Sequence, residues 1–134
     1  MSNQKPKFSL VLLAAMCHET NRLFCIAHND NSHKHWEDCT AEEKAISINA
    51  IQELLLTLDF SGSNEVLGEA TWRAWAKQKL AQGWKYGPIK NTRTKEHPCL
   101  IANYEALPEF EKVKDYLYIS TIRTISTTYE VTPC

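Results

Sequence analysis

The stretch from Gly83 to Pro98 constrains the fold most, because it interrupts a chain whose other long segments have helical patterns. It combines two aromatic rings with glycines, prolines and several basic side chains, where an ordinary connector would be only polar. A loop of this length is usually functional or packs back onto the core. The sequence therefore predicts a helical protein organised around one long, ordered loop.

Four segments around this loop have the apolar spacing of amphipathic helices. Thr40 with Glu43 three residues later is a capping-box signature, and Gly83 stands where a left-handed residue ends a helix. We expect helices near residues 8–27, 40–59, 64–82 and 108–125, with Cys99–Ile101 as the best candidate for a short β element. The predicted fold class is mainly α, in a single domain spanning residues 1–134.

The four helices form two helix-loop-helix pairs that show a weak internal repeat. Lys34–Trp36 in the first loop resembles Lys95–His97 in the second, although the identity between the halves is too low to prove a duplication. A pseudo-two-fold arrangement of the pairs would place both loops on one side of the protein. The two loops would then contribute to a common pocket.

Composition limits the classes of partner. The net charge of −1 and the hydrophobic content of 43% fit one soluble core. A protein that binds a nucleic-acid polymer by neutralising many phosphates would need a basic excess, so we exclude that class. A small anionic ligand remains compatible, since the basic residues are locally concentrated.

The cysteines and the N-terminal segment predict a cytoplasmic protein. The five cysteines are odd in number and lack a Cys-x-x-Cys pair, which favours reduced thiols. The apolar run Phe8–Cys17 has the outline of a signal peptide, but Met16 is a poor residue to precede a lipid-modified cysteine. The run is also too short to span a bilayer, so we expect it to belong to the first helix and predict no membrane partner.

Several short motifs recur together in this chain, namely Gly83–Pro88, Lys95–Pro98, Leu107–Glu109, Cys17–Glu19, Asn21-Arg22 and Trp36. In these motifs the chain resembles the RyR domain, the module repeated in ryanodine-receptor calcium channels and found alone in short bacterial and phage proteins. It implies a binding and packing module built of two related helix pairs. Trp72-Arg73 stands where the family commonly has a His-Glu pair, which puts in doubt any contact that depends on that pair.

The first half of the chain offers one group of candidate ligand-binding residues. His18 and Arg22 are four residues apart and share a helix face, so Arg22 could pair with an anion while His18 donates a hydrogen bond. The alternative is a salt-bridged helix that fixes the adjoining loop, which we favour for Glu19. Asn21 is equally well explained as a buried polar group that contacts a loop backbone.

The second half adds aromatic and basic candidates. Tyr86 could stack on a heterocycle or be anchored through its hydroxyl, whereas Trp84 is better explained as closing the core. Lys95 and His97 are favoured for phosphate recognition over the other basic loop residues, and Tyr104 could bind a phosphate or sugar, or pin the segment after it. The predicted ligand-binding residues are His18, Asn21, Arg22, Trp36, Tyr86, Lys95, His97 and Tyr104.

Metal binding and catalysis have little support in the sequence. His28, His33 and His35, with His18 or Cys39, make a nominal ligand set but show no recognisable zinc spacing, so we predict no metal and no cofactor. No nucleophile with an adjacent base and no Gly-rich phosphate loop is visible. We therefore predict a protein that is not an enzyme.

The sequence thus favours a binding domain for an adenine nucleotide or a nucleotide-derived second messenger. Stand-alone RyR-like proteins in phages suggest a sponge that sequesters an immune signal in the cytoplasm of the bacterial host. The alternative is a protein-interaction module, such as a homodimer, that uses Trp72 and Trp75 as an aromatic anchor. A third hypothesis is a nucleotide hydrolase in which His18 with Glu19, or His97 with Cys99, acts as acid and base.

Overall fold

The computed structural model describes residues 4–133 and divides into two compact units. The first unit contains the residues up to Ser61 and those from Leu117 onward, and the second runs from Gly62 to Tyr116. The organisation of the whole chain as a single domain, and a pocket shared by the two loops, stay predictions. Cys134, which the sequence places in the C-terminal tail, lies outside the described residues.

The described residues form four long helices and two short parallel strand pairs. The helices are α1 (Leu10–Ala27), α2 (Ala41–Thr57), α3 (Asn64–Ala81) and α4 (Glu109–Thr128). The strands are β1 (Lys7–Ser9), β2 (Lys85–Tyr86), β3 (Glu96–His97) and β4 (Glu130–Thr132). The mainly α fold class is confirmed, and every helix lies within one turn of its predicted bounds.

The helix ends follow the capping chemistry that the sequence indicates. The Thr40 hydroxyl accepts the Glu43 N–H while the Glu43 carboxylate accepts the Thr40 N–H, so the predicted capping box of α2 is confirmed. Ser63 caps α3 by accepting the Val66 N–H. Gly83 has φ +89°, the left-handed conformation predicted for the residue that ends this helix.

The first unit packs α1 and α2 with the C-terminal part of α4. Its core contains Leu13, Ile51 and Ile122, which are almost fully buried. Strands β1 and β4 pair in parallel with Phe8 opposite Val131, so segments from the two ends of the chain meet in this unit. The sequence placed Phe8 at the start of the first helix; that prediction is wrong, because Ser9 caps α1 and the preceding residues pair with β4.

The second unit contains α3, the long loop and the first part of α4. Its core is formed by buried residues of α3 and of the segment after the loop, which are Trp72, Ala76, Cys99, Leu100, Tyr104 and Leu107. Trp75, Trp84 and Ile101 are partly buried and pack against this core. The prediction of a short strand at Cys99–Ile101 is wrong. Those residues are apolar because they fill this core, while the strand pair of the loop joins β2 to β3 with Tyr86 opposite His97.

Helix α1 also bears on the prediction about membranes. The helix Leu10–Ala27 is long and apolar enough to cross a bilayer by length and composition alone, although the run Phe8–Cys17 considered in the sequence is shorter. Five residues of this helix are buried within the protein, namely Leu10, Leu13, Ala14, Cys17 and Cys25. The cytoplasmic location stays a prediction.

Candidate functional site

Glu19 is the centre of the polar contacts in the first unit. Its carboxylate accepts hydrogen bonds from Arg22 Nη2 at 2.8 Å and from the Trp36 backbone N–H at 2.9 Å, and His35 Nε2 lies 3.2 Å away. The hydrogen bond from Arg22 lowers the pKa of Glu19 to about 2. Glu19 therefore ties the loop after α1 to the helix, as expected in the alternative that we favoured for this residue.

The predicted ligand-binding residues of this unit lie together but contact the chain itself. Arg22 directs both Nε and Nη2 to Glu19, and His18 Nε2 lies 2.6 Å from the Lys34 carbonyl oxygen. Trp36 is only 6% exposed and belongs to the core. The Asn21 side-chain oxygen lies 4.0 Å from Cys25 Sγ. His18 and Arg22 thus contact groups of the chain itself and Trp36 packs in the core, while ligand binding by these residues stays a prediction.

The long loop of the second unit is closed by its own backbone. Lys85 N–H donates to the Lys95 carbonyl at 2.8 Å, and Asn91 and Glu96 exchange two backbone hydrogen bonds. Lys95 adopts φ +57°, and its ammonium group donates to the Gln82 carbonyl at 2.8 Å, next to the end of α3. Lys95 therefore caps the end of α3, and its predicted role in phosphate recognition stays a prediction.

A left-handed turn at the end of α3 brings an aromatic ring back over a lysine. The Trp84 N–H bonds to the Lys79 carbonyl at 3.0 Å across Gly83, and Lys79 Nζ lies 4.9 Å from the centre of the Trp84 ring. Trp84 also packs against the core, as predicted. The Lys79 ammonium group is consequently half-buried, and burial together with the charge of Lys90 lowers its pKa.

His97 stands between two tryptophans. Its ring centre is 4.9 Å from that of Trp75 and 6.2 Å from that of Trp84, with edge-on geometry in both pairs. The Cys99 backbone N–H donates to His97 Nδ1 at 3.0 Å, so the neutral ring carries its proton on Nε2. Burial, followed by the charge of Lys90, lowers the pKa of His97 to about 4.

These residues define an aromatic–basic cluster, which consists of Trp75, Lys79, Trp84, Lys90 and His97. After burial, the charges of Lys90 and, more weakly, Lys79 lower the pKa of His97, while the Glu111 carboxylate raises it; Lys90 also lowers the pKa of Lys79. Within residues 4–133 no carboxylate lies within 4.0 Å of the ammonium group of Lys79 or Lys90, whereas the nearby Lys114 is paired with Glu111 at 2.8 Å. The cluster is therefore a concentration of positive charge beside partly buried aromatic rings.

Tyr86 and Tyr104 have opposite environments. Tyr86, in β2 opposite His97, is 54% exposed. Tyr104 is 5% exposed, packs on Trp72 with ring centres 5.6 Å apart, and accepts the Leu107 N–H at its carbonyl. Tyr104 thus packs in the core just before α4, and its predicted contact with a phosphate or sugar stays a prediction.

Trp72 is a core residue in the second unit. It is 7% exposed, and its indole N–H donates to the Cys99 carbonyl at 2.9 Å. The prediction that Trp72 supplies an exposed aromatic anchor is therefore wrong. The neighbouring Arg73 is exposed and pairs with Glu69 on the same helix.

Two further features of the second unit limit the chemistry. An open groove of about 370 Å³ lies between α3 and residues 100–102, but its lining includes no member of the aromatic–basic cluster. Burial raises the pKa of the Cys99 thiol to about 12, so this residue is a thiol rather than a nucleophilic thiolate at neutral pH. With its Nδ1 already bonded to the Cys99 N–H, His97 is poorly placed to activate that thiol.

Sequence reasoning missed Lys79 as a site residue and considered Trp75 only as a core residue or as an anchor for a protein partner. A signal was present, because Lys79 follows Trp75 by four residues and therefore shares its helix face. Comparison with protein families gives a match to the model described as the RyR domain over residues 51–132. The match covers more than half of the chain and includes all of α3, the loop and α4.

Proposed function

This chain belongs to the RyR domain family, and on that premise we propose that it binds a small anionic ligand at the aromatic–basic cluster. The proposal rests on Lys79, whose Nζ lies 4.9 Å from the centre of the Trp84 ring, and on the charge of Lys90, which lowers the pKa of both Lys79 and His97. Among residues 4–133 no carboxylate lies within 4.0 Å of the ammonium group of either lysine. Gathering like charges against partly buried rings destabilises the unliganded protein. A bound anion relieves that repulsion.

The cluster has suitable groups for a phosphate. Lys79 and Lys90 supply charge, and the Nε2–H of His97 is the ring donor left after Nδ1 has accepted the Cys99 N–H. Charge-assisted hydrogen bonds of this kind contribute about 1.5–3 kcal/mol each. Two or three such bonds together contribute about 3–9 kcal/mol, and a micromolar dissociation constant corresponds to about 8 kcal/mol.

An adenine nucleotide or a nucleotide-derived signalling molecule is the ligand class that we propose. The exposed ring of Tyr86 lies on the strand paired with the one that carries His97, so a base can stack on it while the phosphates face the lysines. The proposed role is sequestration, in the manner of a phage sponge that removes an immune second messenger from the host cytoplasm. Binding without turnover agrees with the high pKa of Cys99 and with the occupied Nδ1 of His97.

A thermal-shift screen tests this function. The compounds are ATP, ADP-ribose, cyclic ADP-ribose isomers, and cyclic mono-, di- and trinucleotides. A ligand at one hundred times its dissociation constant adds about 2.7 kcal/mol to the free energy of unfolding, which raises the melting temperature by several degrees. Mass spectrometry of the bound ligand after denaturation of the protein should recover it intact.

Tyr86→Ala separates base recognition from phosphate recognition. The variant should bind the nucleotide more weakly by roughly 1–3 kcal/mol, the usual contribution of one stacked base, while binding of inorganic pyrophosphate stays unchanged. Ile89→Ala is the matched control, because Ile89 is 78% exposed in the same loop and lies outside the cluster.

Two outcomes contradict the proposal. Recovery of a cleaved ligand would establish the hydrolase alternative. A flat screen together with concentration-dependent self-association would favour the interaction module, although Trp72 is buried and could not be its anchor.

A further inference from the structure

Three side chains at the C-terminal end of α1 form a cluster that the proposed function does not use. The thiol of Cys25, a carboxylate oxygen of Asp30 and a ring nitrogen of His33 lie within 4.8 Å of one another. Cys25 is fully buried in the last turns of the helix, while Asp30 and His33 are partly exposed in the following loop. The cluster is thus anchored in the core and reachable from solvent.

The backbone brings these residues together. The His28 and Asp30 N–H groups both bond to the Cys25 carbonyl, at 3.0 and 2.8 Å, across Asn29 in the left-handed conformation at φ +68°. The turn therefore returns Asp30 to a position over Cys25. This is the same kind of turn that returns Trp84 to Lys79 at the end of α3.

The Asp30 carboxylate is oriented by the loop that follows. One oxygen, Oδ1, accepts the Ser32 N–H at 3.0 Å, and the other, Oδ2, lies 3.8 Å from His33 Nδ1. Asn21, one helical turn before Cys25, has its side-chain oxygen 4.0 Å from the thiol sulfur. Sulfur, nitrogen and oxygen donors thus converge on one point.

We propose that Cys25, Asp30 and His33 bind a zinc ion, with water or the Asn21 side-chain oxygen in the fourth position. Zinc accepts thiolate, imidazole and carboxylate ligands in tetrahedral geometry, whereas calcium and magnesium prefer oxygen alone. Bonds of about 2.0–2.3 Å place tetrahedral ligands about 3.3–3.8 Å apart. Contraction of the cluster by about 1 Å through side-chain rotation is sufficient.

Binding is a simple exchange of a proton for the metal. The Cys25 thiol releases its proton to solvent as the sulfur–zinc bond forms. His33 binds the metal as a neutral imidazole, and Asp30 binds it as an ionised carboxylate. The ion would fasten the start of the loop after α1 to that helix. Farther along the same loop, Trp36 is already held to α1 by its hydrogen bond to Glu19. The histidine spacing considered from sequence did not include Cys25 or Asp30, because their relation depends on the turn at Asn29.

Cobalt titration of chelator-treated full-length protein tests the site. One equivalent of Co²⁺ should produce a thiolate-to-cobalt charge-transfer band in the near ultraviolet and the strong visible bands of tetrahedral cobalt, and Zn²⁺ should remove both. His33→Ala and Asp30→Asn should weaken cobalt binding by more than roughly tenfold, since even changes outside the ligand set cost 10–100-fold. Cys25→Ser should abolish the charge-transfer band.

The chain offers matched controls. Cys39→Ser and His28→Ala remove a cysteine and a histidine of the same region that lie outside the cluster, and both variants should keep the band. Because Cys25 is fully buried, Cys25→Ser could fail to fold. In that case cobalt binding by His33→Ala, whose folding is verified by circular dichroism, decides between the outcomes. The absence of a stoichiometric thiolate band overturns the proposal. Loss of the band in Cys39→Ser instead of His33→Ala overturns it too, since Cys39 Sγ lies 3.8 Å from His18 Nε2 and would then be the ligand.

Discussion

His97 should make the protein less stable in mild acid, and His97→Gln should remove this dependence. The pKa of His97 is lowered from 6.5 to about 4, chiefly by burial and then by the neighbouring lysines. When the pKa of a histidine is lower in the folded than in the unfolded state, the histidine does not reduce the free energy of unfolding at pH values above its unfolded pKa. The stability is lost as the pH falls from about 6.5 towards about 4, because the unfolded state takes up the proton first.

The size of the effect follows from the shift. A difference between 6.5 and about 4 corresponds to at most about 3 kcal/mol at 1.36 kcal/mol per pKa unit. Solvent that reaches the exposed part of the ring reduces this, so we expect about 2 kcal/mol. The amide of glutamine cannot be protonated in this range, and its oxygen can still accept the Cys99 N–H.

Urea unfolding of the wild type and His97→Gln between pH 4 and pH 8 measures the difference directly. The free energy of unfolding of the wild type should fall relative to the variant as the pH is lowered, while carboxylates common to both proteins cancel. His28→Gln controls for the exchange of an imidazole for an amide elsewhere. A constant difference between wild type and His97→Gln, or one that grows in favour of the wild type in acid, would refute the reasoning.

An anion bound at the cluster should raise the pKa of His97, which NMR titration with and without ATP would detect.

Three further predictions concern other parts of the chain. Burial raises the pKa of Asp115 to about 7, so the destabilisation of the folded state by this carboxyl group grows as the pH rises from 3.8 to about 7. In urea titrations, Asp115→Asn should raise the free energy of unfolding by about 2–4 kcal/mol at pH 8 and change it little at pH 4. Trp72→Phe leaves the buried Cys99 carbonyl without its indole donor and should cost about 1–3 kcal/mol in thermal unfolding, whereas an unchanged melting temperature would contradict a core role. Glu19→Gln should speed hydrogen exchange at the Trp36 amide, while equal exchange rates would show that Glu19 does not hold the loop.

Local chemistry explains which parts of the fold could be predicted. The capping box of α2 and the left-handed Gly83 depend on neighbouring residues, so the sequence alone indicates them. The pairing of Phe8 with Val131 depends on a partner at the other end of the chain, and a three-residue strand has no period to detect. Cys99–Ile101 was mistaken for a strand because burial in a core and burial in a sheet give the same apolar run.

The candidate site shows a similar division. The residue types around Arg22 and His18 suit a ligand, but Glu19 and the Lys34 carbonyl satisfy the same donors, and only geometry reveals which partner is used. Lys79 was not among the residues predicted from the sequence. It becomes part of the cluster because the turn at the end of α3 folds Trp84 onto it.

Isothermal titration calorimetry of ATP and ADP-ribose with lysine variants tests the central claim most directly. Lys79→Met and Lys90→Met should each weaken binding at least about tenfold, as expected for loss of one charge-assisted contact of about 1.5–3 kcal/mol. Lys77→Met, an exposed lysine of α3 outside the cluster, should bind as the wild type does. Equal affinities for Lys77→Met, Lys79→Met and Lys90→Met would contradict the account, because the ligand would then not be held by the aromatic–basic cluster.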